Sequence, residues 1–284
     1  MKKLIVLLCV VLAALVAMLF LLPSDGNPQN NEPPVTEPTQ ISAPTESMET
    51  DPTESSQPTL QKNPFKTTDF ALQGDYMSCL TAPYQLGIDV SKYQQNVDWQ
   101  QVADSGITFV MIRIGGRGYG QGGTLYADEV AQSHYEGAKA AGLNVGVYFF
   151  SQAISVEEAE EEARYAMTLT ADWQLDMPIA FDWEYVSTTA RTANTDAQTV
   201  TACAAAFCDT ILAANQKTMI YVRPEPEKLI LEDLAAYDHW VAWYSDTMDY
   251  PNEFAMWQYT KTGKVPGISG NVDINLYLNL KIGA

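Results

Sequence analysis

The stretch Met177-Pro-Ile-Ala-Phe-Asp-Trp-Glu184 decides how this chain is read. Three apolar residues after the proline make a short β-prone run, and the two acids that close it lie two positions apart. Side chains alternate along a strand, so Asp182 and Glu184 leave it on one face. Acids are rarely brought together in a partly desolvated space without pairing or purpose, because mutual repulsion and burial raise the pKa of at least one. A protonated carboxyl beside an ionised one is the equipment of general acid catalysis. The alternative is that the strand simply ends there with both acids solvated.

Similar apolar, β-branched or aromatic runs flank this one at Leu86–Val90, Ile107–Ile114, Asn144–Phe150, Thr218–Val222, His239–Trp243, Phe254–Gln258 and Asn271–Ile274, which with Pro178–Trp183 gives eight strands. Helical segments are predicted at about 98–104, 127–141, 155–171, 196–214 and 225–236, the third opening on the capping signal Ser155-Val-Glu-Glu. Alternating strands and helices argue for a parallel sheet, and eight such strands can close into a barrel. The last connections are too short for full helices. The expected fold is therefore an irregular α/β barrel of the (β/α)8 kind over residues 83–284, with reduced helices towards its C-terminus.

Upstream, Lys2-Lys3 precede an unbroken apolar run from Leu4 to Leu22 that ends at Pro23. Its 19 residues are close to a bilayer span and longer than a usual signal-peptide core, and no Ala-x-Ala cleavage site follows. Residues 1–22 are expected to be a signal anchor, with a long cleaved signal peptide as the alternative; either implies export, with the remainder outside the membrane. Residues 23–82 are expected to be linker, since Pro23–Pro64 holds 9 of the chain's 15 prolines among Thr, Ser, Glu, Gln and Asn and cannot bury a core. Residues 65–82 are transitional in composition.

Composition excludes other classes. The formal charge is −19, from 35 acidic and 16 basic residues, with no basic cluster beyond the N-terminus, so nucleic acid is not an expected partner. The 4 cysteines are too few and scattered for a disulfide framework, and 2 histidines are too sparse for a His-based metal site. Gly118-Tyr-Gly-Gln-Gly-Gly123 fits G-x-G-x-x-G, but the next predicted strand ends without the acid that dinucleotide binding requires, and the stretch reads as a barrel-top loop. No G-x-S-x-G supports a serine nucleophile.

In such barrels reactive groups come from the C-terminal strand ends. Asp89, Asp182, Glu184 and Asp273 satisfy that placement, and closure brings the first and last strands, carrying Asp89 and Asp273, together. Aromatic faces beside carboxylates suit a polyhydroxylated ring. Tyr148, Trp243, Tyr244 and Trp257 are the candidates to line such a groove; core packing is the competing role for each aromatic.

Gly87-Ile-Asp-Val-Ser-Lys-Tyr-Gln94, Val110-Met-Ile-Arg-Ile-Gly115, Gly146-Val-Tyr-Phe-Phe150, Phe181-Asp-Trp-Glu184, Trp240-Val-Ala-Trp-Tyr244, Met256-Trp-Gln-Tyr259 and Gly270-Asn-Val-Asp-Ile-Asn275 together resemble glycoside hydrolase family 25, the peptidoglycan lysozymes, over about Leu86 to Leu280. The resemblance implies hydrolysis of the β-1,4 bond between N-acetylmuramic acid and N-acetylglucosamine. Glu184 matches the family's general acid, Asp182 its companion carboxylate, and Asp89 and Asp273 the remaining acids of the cleft. Whether Asp182 polarises the substrate's own acetamido group with retention, or an Asp activates water with inversion, is left open by the sequence. Tyr221-Val-Arg-Pro-Glu-Pro226 departs from the small polar residue commonly found after the fifth-strand tyrosine. The expected partners are peptidoglycan glycan strands and, through the N-terminal segment, a membrane. The chain is expected to act as a monomer at the outer membrane face or as a secreted enzyme, with no cofactor and no metal. The rivals are an inactive wall-binding module and a chitinase-like N-acetylglucosaminidase, the latter disfavoured because Pro178-Ile-Ala-Phe181 lacks the acids of D-x-x-D-x-D-x-E.

Overall fold

A computed structural model of the chain describes residues 58–224 and 228–278. The apolar segment 1–22, the linker as far as 57, residues 225–227 and residues 279–284 lie outside the described residues. No helix among the described residues is long and apolar enough to cross a membrane.

The described elements run β1 (Phe70–Gln73), β2 (Tyr76–Cys79), β3 (Gln85–Val90), α1 (Trp99–Asp104), β4 (Phe109–Arg117), β5 (Leu125–Ala127), α2 (Ala131–Ala140), β6 (Asn144–Ser151), α3 (Val156–Leu169), β7 (Ile179–Trp183), α4 (Ala197–Ala213), β8 (Thr218–Val222), a 3-10 turn at Leu231–Leu234, β9 (Asp238–Ala242), β10 (Met256–Gly263) and β11 (Val272–Tyr277). Eight of these strands pair in the order β3-β11-β10-β9-β8-β7-β6-β4, and β3 pairs with β4 to close a barrel. Three of the four described helices start on side-chain caps that satisfy otherwise unpaired N–H groups: Asp98, Ser155 and Asp196 accept from the backbone of Gln101, Glu158 and Thr199. The segment 225–236, expected as a helix, holds only the 3-10 turn Leu231–Leu234 among its described residues.

The closing strand breaks the parallel rule. β11 is antiparallel to both β10 and β3, whereas the pairings from β3 through β4, β6, β7, β8 and β9 to β10 are parallel. Asp273 therefore reaches the end of the barrel that carries Asp89 from the start of its strand, not from its C-terminal end as the parallel reading required. A short connection suffices because an antiparallel neighbour needs no crossover helix.

Alternation along the strands divides the core in two. Phe109, Met111, Ala180, Met219, Tyr221, Trp240, Ala242 and Met256 fill the barrel interior. The intervening residues, among them Val110, Ile112, Val147, Phe149, Phe181 and Val241, face outwards against α2, α3 and α4. Gly87 is small because the ring of Phe109 occupies the space where its Cβ would stand.

Part of the stretch assigned to the linker is structured. β1 and β2 form an antiparallel hairpin with Phe70, Met77 and Cys79 buried. Phe70 sits edge-on to Trp257 at 5.2 Å, and Lys62 bridges to Asn252. Covering a side chain of that size removes it from water with a gain of about 1.5–3 kcal/mol. Charged and small residues around Phe65, Phe70, Tyr76 and Met77 dilute the apolar signal, which is why composition does not separate this hairpin from true linker.

Candidate active site

The inward positions of neighbouring strands converge at one end of the barrel. The pairings align Phe181 of β7 with Ile220 of β8, and continuing that register sets Asp182 beside Tyr221 and Glu184 beside Arg223. Asp89 and Asp273 stand directly opposite each other across β3 and β11. These side chains, with Tyr148, Gln258, Tyr244, Lys261 and others, line a cleft of about 780 Å³. All four predicted acids are thus brought to one space.

The electrostatics are those of an over-supplied acid cluster. Burial pushes Asp89 well above the usual carboxylate range and the charge of Asp273 adds to it, while hydrogen bonds from Asn275 and Gln258 oppose. Those donors reach Asp89 Oδ2 at 2.8 and 2.7 Å from Asn275 Nδ2 and Gln258 Nε2. Asp273 is pushed up to about 6, chiefly by burial. Asp182 is likewise raised well above its ordinary value, first by burial and then by the charges of Glu184 and Asp89. Its Oδ1 is buried with no hydrogen-bond partner among the described residues. An unpaired buried carboxylate oxygen carries a desolvation cost that a hydrogen-bond donor from solvent or a ligand would offset.

Glu184 is held differently. Its Oε2 accepts from Arg223 Nη1 in an ion pair, with both side chains about one-third exposed. Its backbone carbonyl accepts from Gln152 Nε2 at 2.9 Å. Gln152 is itself fixed: its Oε1 accepts from Thr192 Oγ1 at 2.8 Å and its carbonyl from Arg191 Nη1 at 3.1 Å. Arg191 binds Glu158 through both guanidinium nitrogens at 2.9 and 2.7 Å. Beneath them Arg117 donates to Glu162 Oε1 and Glu161 Oε2, each at 2.7 Å, and to the Gly123 carbonyl at 2.8 Å. The loop Gly118–Gly123 is therefore anchored by this network and followed by β5 rather than a helix, which removes the helix N-terminus that a dinucleotide phosphate would need. Gly123 has φ +52, and a side chain there would run into the Arg191 guanidinium.

The aromatic candidates divide by strand parity. Tyr148 lines the cleft and packs edge-on to Trp240 at 5.9 Å, and burial pushes its hydroxyl well above the usual range. Tyr244 also lines it, 42% exposed, with its hydroxyl donating to Gln258 Oε1 at 2.8 Å. Trp243 and Trp257 do not join them. Trp243 follows Ala242, an inward residue, and so faces outwards, donating to Asp249 Oδ1 at 2.8 Å. Trp257 is fully buried beneath the hairpin and donates to the Trp243 carbonyl at 2.7 Å. Alternation continued from β9 puts Trp243 on the opposite face from Tyr244; Tyr221, Trp240 and Arg223, which also line the cleft, were not selected by the sequence reading.

With acids at the mouth of a closed barrel and tyrosines beside them, the arrangement suits acid-assisted cleavage at a sugar. The family model for glycosyl hydrolases family 25 matches residues 88–268. The chain belongs to that family. Two curated relatives are lysozymes. The autolytic lysozyme of Clostridium acetobutylicum is 26% identical over 196 residues, covering 66% of this chain and 54% of the relative. Lysozyme M1 of Streptomyces globisporus is 26% identical over 219 residues, covering 67% of each. Among solved structures, the modular autolysin LytC of Streptococcus pneumoniae, in complex with a synthetic peptidoglycan ligand, superposes with a TM-score of 0.60 at 25% identity, over 68% of this chain and 46% of that one. The chain thus spans about half the length of the first relatives it matches.

Proposed function

We propose that this family 25 glycosyl hydrolase is a peptidoglycan muramidase that cleaves the β-1,4 bond between N-acetylmuramic acid and N-acetylglucosamine. The observation that carries the reading is the convergence of Asp89, Asp182, Glu184 and Asp273 on one cleft, with Asp182 left short of a partner.

In this reading Glu184, which is half-buried where Asp89 and Asp182 are buried, protonates the leaving glycosidic oxygen. Asp182 receives the substrate: its unpaired Oδ1 accepts the N–H of an acetamido group, orienting that group against the anomeric carbon as positive charge develops there. Asp89 and Asp273 hold one proton between them and set the negative field under the sugar. Tyr148 and Tyr244 supply flat surfaces for the ring's C–H faces. The N-terminal apolar segment would keep the enzyme at the outer membrane face, or direct it to secretion, with the Pro-rich stretch giving it reach. The chain is proposed to work as a monomer without cofactor.

Glu184→Gln removes the proton donor with almost no change of shape. It is expected to abolish release of reducing ends from purified peptidoglycan while leaving the unfolding temperature in place. Retained release would sink the assignment.

A further inference from the structure

Arg223 Nη1 holds Oε2 of Glu184, the carboxyl assigned the role of proton donor. A ligand carboxylate bound by the same guanidinium would compete with that ion pair and draw Arg223 away. The surroundings indicate what ligand would do so. The chain has 16 Lys and Arg against 35 acidic residues, yet Lys92, Arg113, Arg223 and Lys261 all line this one cleft. Arg113 is committed to Asp128, at 2.7 Å, and is 11% exposed. Arg223 and Lys261 are open to solvent on the side of Tyr244, where the Lys261 ammonium stands 5.2 Å from the ring centroid. Cations on the rim of an acidic cleft, in a strongly acidic chain, match a ligand that is anionic away from the bond being cut.

We infer that Arg223 is a specificity-determining residue that binds a carboxylate on the substrate's peptide-bearing side, and that this transfer of its guanidinium from Glu184 to the substrate releases the acid for catalysis. The inference rests on the hydrolase reading above. The planar fork of Arg223 suits a carboxylate, and Lys261 lines the same cleft. Once freed, Glu184 takes a proton from solvent and passes it to the glycosidic oxygen. A glycan without such a carboxylate leaves Arg223 on Glu184 and is cut slowly. Two sources carry the group: the acids of the stem peptide and, where the peptide is absent, the lactyl carboxylate of the muramic unit itself.

The test measures kcat/KM for reducing-end release from three glycan preparations: strands with free stem-peptide carboxylates, the same strands with those carboxylates converted to amides, and strands stripped of peptide by an amidase. The wild type is expected to lose about tenfold on the amidated strands, the worth of a charge-assisted hydrogen bond. Arg223→Gln is expected to cut free and amidated strands equally, and the amidated ones faster than the wild type does; Arg223→Lys restores part of the discrimination. Wild-type rates on stripped strands that match the free-carboxylate strands assign the contact to the lactyl group, and rates that match the amidated ones assign it to the stem peptide. Unchanged discrimination in Arg223→Gln overturns this inference alone. A wild type that releases no reducing ends from any preparation overturns the hydrolase reading with it.

Discussion

Two clusters of charge share this barrel and treat their carboxylates in opposite ways. Between β4 and α3, Arg117 meets Glu162, Glu161 and Glu158, and Arg191 closes on Glu158 from the neighbouring loop. There the acids are matched by guanidinium donors. At the barrel mouth Asp89 faces Asp273 and Asp182 faces Glu184, with one cation, Arg223, directly paired to the four. Cross-strand like charges are destabilising, so the mouth is held together at the expense of stability, while the Arg117 network holds the backbone of Glu184 and Gln152 in place. Even the matched cluster is not free of strain: burial outweighs pairing at Glu162, whose carboxyl is pushed up to about 7 and whose Oε2 has no partner among the described residues.

The contrast is broken most severely at the mouth. Glu184→Gln should lower kcat by about 10²–10⁴-fold, the range of general acid catalysis, with an unchanged unfolding curve; a large stability change would mean Glu184 is structural. Next comes Arg117→Ala, which strands Glu162 in the interior and should cost about 3–5 kcal/mol, read as a denaturant midpoint shifted at constant slope. A third change has the opposite sign. In the unfolded chain Asp273 ionises near its ordinary 3.8, but in the cleft it keeps its proton to about 6. Between those values the folded state binds more protons, so stability falls as pH rises through that window. Asp273→Asn should therefore raise the unfolding temperature at pH 7 by about 2–4 °C, on the order of 1 kcal/mol, and give no gain near pH 3.5, while activity drops. The smallest effect separates the two aromatic sets: Trp243→Phe, which faces away from the cleft, should change kcat/KM by less than about threefold, whereas Tyr244→Ala should raise KM by about tenfold through a lost packing surface and hydrogen bond. Equal effects of the two would contradict the division by parity.

Much of this was legible in the chain itself, because the period of a strand is short and unforgiving. The pattern around Ile179–Trp183 set both the strand and the common face of Asp182 and Glu184, and the eight runs located the eight barrel strands to within a few residues. What escaped depended on tertiary pairing. The antiparallel course of β11 leaves no mark in Val272–Tyr277, since an inward Asp273 is compatible with either direction. Trp243 and Trp257 were placed by proximity to strand ends, where alternation would have turned them outwards. Arg223 stood in the sequence as a departure from a family pattern, and only the β7–β8 register showed that it stands over Glu184. The hairpin Phe70–Cys79 is stabilised by Trp257, nearly two hundred residues away, and local composition carries no trace of that contact.

The most direct measurement is mass spectrometry of the new reducing-end sugar after the purified enzyme digests intact peptidoglycan. N-acetylmuramic acid at the freshly cut ends, absent from a Glu184→Gln digest, is the predicted result. Ends carrying N-acetylglucosamine, or the same products from the variant, would contradict the account.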